Sequence, residues 1–77
     1  MQYHQIYHIR NVPVYVRNLQ SGDVAIWHPF NESARIVVEG ICRNHGHWDG
    51  RYNNWIVFAN YKHRVMEAFD SAGERTF

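Results

Sequence analysis

The chain has 77 residues, a formal charge of +1, 16% aromatic residues and a single cysteine. That length has room for one domain and one core, and one cysteine excludes an intrachain disulfide. The near-neutral balance argues against strong, purely charge-driven attachment to nucleic acid.

Residues 3–9 are rich in β-prone aromatics and isoleucines and predict a first strand. In the next segment Val12, Val14 and Val16 fall on one face at period two, with Tyr15 and Arg17 on the other. Pro13 has no N–H to give a ladder, which predicts an edge position or a strand start. Asn18 to Asp23 reads as a turn by its Ser-Gly-Asp content, and Val24 to His28 as a third strand ended by Pro29.

A helix is predicted from near Asn31, whose side chain can cap free N–H groups. Ala34, Val37, Val38, Ile41 and Cys42 make its apolar stripe, and Gly46 is expected to close it in the left-handed conformation. Gly46 to Phe58 then has the pattern of a hairpin, in which two tryptophans flank a polar turn and an apolar run follows. Trp48 and Trp55 to Phe58 are expected to form the seam between the two helices. A second helix should be capped by Asn60 and closed by Gly73, with Tyr61, Val65, Ala68, Phe69 and Ala72 on its apolar stripe. The tail Glu74 to Phe77 is expected to fray. The predicted fold is therefore α+β: one domain over residues 1–77, with an antiparallel sheet in the order β-β-β-α-β-β-α and two helices on one face.

No stretch approaches the ~20 apolar residues of a membrane span. The start Met1 to Gln5 has no basic or apolar signal region. With a lone cysteine in so short a chain, these features predict a cytoplasmic setting.

Two constellations bear on chemistry. Lys62, His63 and Arg64 crowd the opening turn of the second helix, where cations oppose the helix dipole unless a phosphate sits among them. Arg43 and Arg51 can extend that patch, and Tyr52 beside Arg51 is placed to stack on a base. The bland alternative is a solvated face with local pairs such as His63 with Glu67. Cys42, His45 and His47 supply three metal-ligand types within six residues, with His28 or His63 as a possible fourth. Zinc sites usually draw on two separated pairs, however, and Cys42 sits on an apolar stripe, so a core thiol with surface histidines is the better reading. Ser21, Ser33 and Ser71 lack a nucleophile-elbow context, and no Gly-rich loop follows a strand. No enzyme activity and no cofactor are expected.

The stretch Asp23 to Phe69 resembles the HARP domain of annealing helicases and related small α/β modules of phage and plasmid DNA metabolism. The residues carrying the likeness are Val24 to Phe30, the helix around Val37 to Ile41, Trp48-Asp49, Trp55 to Phe58, and Val65 to Phe69, a HARP-like core of about residues 23–72. The resemblance implies a module that binds single-stranded or branched DNA without catalysing a reaction. The expected function is thus contact with nucleic-acid phosphates through Arg43, Arg51, Lys62, His63 and Arg64, with Tyr52 stacking. The alternatives are a phage- or plasmid-encoded factor docking on a host protein, for which aromatics and arginines are apt, and a metal-binding module.

Overall fold

Val12, Val14 and Val16 are buried, while Pro13, Tyr15 and Arg17 between them are only partly covered. This alternation is the signature of a strand with one face on a core, and it organises the whole domain. A computed structural model describes residues 5–75, and the side chains of residues 5–73. Its elements are β1 (Gln5–Ile9), β2 (Val12–Asn18), β3 (Val24–Trp27), α1 (Glu32–Cys42), β4 (Gly46–Asp49), β5 (Asn54–Val57), a 3-10 turn (Ala59–Tyr61), α2 (Lys62–Ala72) and β6 (Glu74–Arg75). The strands form one antiparallel sheet in the order β4-β5-β3-β2-β1-β6. The fold is α+β, as the hydrophobic periodicity predicts.

Tight turns set the register. Arg10 and Asn11 join β1 to β2 with φ of 54° and 65°, the left-handed pair of a two-residue hairpin whose twist matches that of its strands. Ile9 thereby faces Val12, and Tyr7 faces Val14. Pro13 is the second residue of β2, beyond the stretch Tyr15 to Asn18 that pairs with β3, so its missing N–H breaks no bond on that side.

One face of the sheet carries the core. Tyr7, Ile9, Val14, Val16, Val24, Ile26 and Val57 join Val38 and Cys42 of α1 and Val65 and Phe69 of α2 in a single buried cluster. The rings of Tyr7 and Phe69 stack with centroids 5.4 Å apart. Asn31 caps α1 as expected, its Oδ1 accepting the Ala34 N–H at 3.0 Å.

Several expectations are corrected. The β4–β5 hairpin forms, but at one edge of the sheet, and the cluster under the helices is built mainly by β1, β2 and β3. Trp48 is 50% exposed and Phe58 44%, so neither is part of a seam between helices, although Trp55 does pack against the core. Gly46 does not close α1, which ends at Cys42 with Arg43 as its cap. It opens β4 instead, where any Cβ would run into the Ile56 carbonyl and the Val57 backbone. Asn60 lies within the 3-10 turn, and α2 starts after Tyr61 with no side-chain cap. Glu74 and Arg75 pair with β1 as β6 rather than fraying. Gly73 allows this because a Cβ there would strike the Ile9 side chain and the His8 carbonyl. Residues 3–4 of the predicted first strand and residues 76–77 of the tail lie outside the described residues.

Because Phe69 is fully buried and stacked on Tyr7, Phe69→Ala should cost about 3–5 kcal/mol in urea denaturation. Ile36→Ala, on the exposed side of α1, should change stability by less than about 0.5 kcal/mol.

Candidate nucleic-acid interface

With both helices on one face, the side chains that alternate with the core residues line the opposite face. Register places Ile6 beside Tyr15, Tyr15 beside Trp27, and Arg17, Ala25 and Ile56 in one row. The Tyr15 and Trp27 rings lie 5.4 Å apart in a tilted pair. Ala25 projects only a methyl between larger neighbours, and a depression of about 570 Å³ opens above it. Its lining comprises Arg17, Leu19, Trp27, Ile56 and, from the hairpin end, Asp49, Tyr52 and Asn54. A mainly apolar groove with a few polar groups at its rim has the size and character of a ligand site.

The hairpin tip supplies one wall. Asp49 Oδ1 accepts the Arg51 backbone N–H at 3.0 Å, which fixes the turn. Asn53 takes a positive φ of 53° and returns the chain to β5. Tyr52 is 66% exposed, and the Arg51 guanidinium lies 5.7 Å from its ring centroid, within cation–π range.

The structure divides the basic residues singled out from sequence. Tyr52 lines the groove, with the Arg51 guanidinium against its ring. Lys62 and His63 instead line a second depression of about 360 Å³ with Tyr7, Val16 and Met66, on the helix side of the sheet. Arg64 is exposed in the first turn of α2. Arg43 closes α1 and pairs with Glu39, which also bonds Arg35 at 2.9 Å, and Arg35 in turn reaches Glu32 at 2.7 Å. The hydrogen bond from Arg35 holds the Glu32 carboxyl below its ordinary range. These three ion pairs are the ones among the described residues, so no His63–Glu67 pair forms, and Arg17, Arg51, Lys62 and Arg64 belong to none of them.

Cys42 and the nearby histidines have separate surroundings. Cys42 is buried in the core. His45 donates from Nδ1 to the Ile41 carbonyl at 2.9 Å and meets the edge of Tyr61. His47 is on β4 against Phe58. Among the described residues no three His, Cys, Asp or Glu side chains converge to hold a metal.

Arg17, Trp27, Ala25 and Ile56 lie outside the set of residues that the sequence marks as a candidate site. The signal for them is the same alternation that buries the valines: Tyr15 and Arg17 lie opposite Val14 and Val16, and Trp27 follows Ile26. No protein-family model, curated protein or solved structure matches this chain.

Burial pushes the Cys42 thiol up to about 12 from its ordinary 9.0. The folded protein therefore keeps a proton that the unfolded chain releases above pH 9, so stability falls as pH rises between those values, by about 1.4 kcal/mol per unit. Urea midpoints at pH 8.5 and 10 should show this extra loss in the wild type and lack it in Cys42→Ala.

Proposed function

We propose that this domain is a non-enzymatic module that binds single-stranded nucleic acid across the open face of its sheet. The observation that carries the reading is the groove over Ala25, walled by Trp27 and Tyr52 and bordered by Arg17. A single strand offers base faces to aromatic rings and phosphates to guanidinium groups, whereas a duplex hides its base faces. Stacking of this kind is worth about 1–3 kcal/mol per base, which suits a chain whose net charge is too small to bind by charge alone. The resemblance of Asp23 to Phe69 to HARP-like modules points to the same class of ligand.

The site differs from the one expected from sequence in what it asks of the basic residues. Arg17 lines the groove and Arg51 lies against the Tyr52 ring at its hairpin end, while Arg43, Lys62, His63 and Arg64 belong to the helices. Two phosphate contacts predict a salt slope of roughly −1.4 in log K against log salt, whereas four predict roughly −2.8.

Fluorescence anisotropy with a labelled oligothymidylate at low salt tests the proposal. Trp27→Ala and Tyr52→Ala should each weaken binding by about 5- to 160-fold, the range set by the stacking energy, and Arg43→Ala plus Arg64→Ala should leave it nearly unchanged. Binding that survives the aromatic substitutions but is lost with Arg43 and Arg64 would overturn the groove as the site. Absence of binding at tens of micromolar would favour a protein-docking role, for which Phe30 and Ile36, exposed by 90% and 62%, are the first residues to test.

A further inference from the structure

The hairpin end of the groove differs from the rest of it. Asp49 and Asn54 are Cα partners across β4 and β5, and both line the depression beside Tyr52 and Trp27. Asp49 uses one carboxylate oxygen on the Arg51 N–H and is in none of the ion pairs of the described residues. Asn54 Oδ1 is buried and has no hydrogen-bond partner among the described residues. Asp49 thus has unused acceptor capacity at the end of an aromatic groove, beside an Asn54 whose Oδ1 is covered. A carboxylate at this place repels phosphate, so the part of a strand that fits here is a base edge and not the backbone.

Each base answers a carboxylate differently. Guanine presents two adjacent donors on its Watson–Crick edge, N1–H and the N2 amino group, which match the two oxygens of one carboxylate. Adenine and cytosine each present one amino group next to a ring-nitrogen acceptor, which a carboxylate repels. Thymine and uracil present one N–H between two carbonyls. Exposed Watson–Crick edges are what proteins read in single strands.

We infer that the Asp49–Asn54 end of the groove selects guanine in a single strand, with the base stacked against the aromatic wall and its N1–H and N2 amino group donating to the Asp49 carboxylate. This inference rests on the groove being the single-strand site. Arg17 and Arg51 take the flanking phosphates, and the Asn54 amide supplies the adjoining polar contact.

The test compares labelled thymidine pentamers that differ at the central base, short enough that few binding registers compete. Central guanosine should bind about tenfold tighter than central thymidine, within the range a bidentate base contact supplies. Central inosine, which lacks the N2 amino group, should lose most of that gain. Asp49→Asn keeps an Oδ1 for the Arg51 N–H but replaces one carboxylate oxygen by a donor, and it should bring the guanosine and thymidine pentamers to the same affinity. Equal wild-type binding of the two pentamers, tighter binding of central cytidine, or a guanosine preference that persists in Asp49→Asn would each overturn guanine selection while leaving the groove as a single-strand site. Failure to bind any pentamer would overturn both.

Discussion

Burial on one side of β2 and β3 holds the rest of the molecule in place. Val14, Val16, Val24 and Ile26 point toward Val38, Cys42, Val65 and Phe69, and a period of two sends Tyr15, Arg17, Ala25 and Trp27 the other way. A one-residue slip would exchange the two sets, burying Arg17 and exposing four apolar side chains. The register that protects the core is therefore also the register that assembles the groove. Stability and candidate function are two faces of the same sheet, fixed by the same hairpins.

Charge is distributed to fit this division. On α1, Glu32, Arg35, Glu39 and Arg43 bond to one another along the exposed side of the helix. Such exposed pairs contribute little to stability, but they engage two of the chain's arginines. Among the described residues Arg17 and Arg51 are in none of these pairs; Arg17 lines the aromatic groove and Arg51 lies against the Tyr52 ring. On the proposed reading, affinity at this surface comes chiefly from ring stacking, with phosphate contacts setting position. On the same reading, Asp49 at the groove's end places a negative group where a base edge fits better than a phosphate.

Much of the architecture was legible in the sequence, because its strongest signals are local. The valine alternation, the Asn31 cap and the helical stripes each fix an element by short-range physics, and the elements appear where those signals place them. What misled were residues whose role depends on distant partners. Gly46 reads as a helix terminator within its own segment, but its need for a missing Cβ comes from Ile56, ten residues on. Glu74 and Arg75 resemble a frayed end until β1 offers them a free edge. Trp48 reads as core because it is large, yet β4 lies at the sheet edge, where one side has no further strand. The candidate site was legible in part. Arg51 and Tyr52 stand out in a polar turn, whereas Arg17, Ala25, Trp27 and Ile56 become one surface only when three strands are laid in register.

The central claim is that the open sheet face, and not the helix face, meets the single strand. Nuclear magnetic resonance of the labelled protein, titrated with a short thymidine-rich strand, tests this most directly because it reports every residue at once. The account predicts shifts in the Trp27 indole, in the Tyr15 and Tyr52 rings, and in the amides of Arg17, Ala25 and Ile56, with Lys62, Arg64 and Arg43 little changed. Shifts centred on Lys62, His63 and Arg64, with the Trp27 indole unmoved, would contradict it.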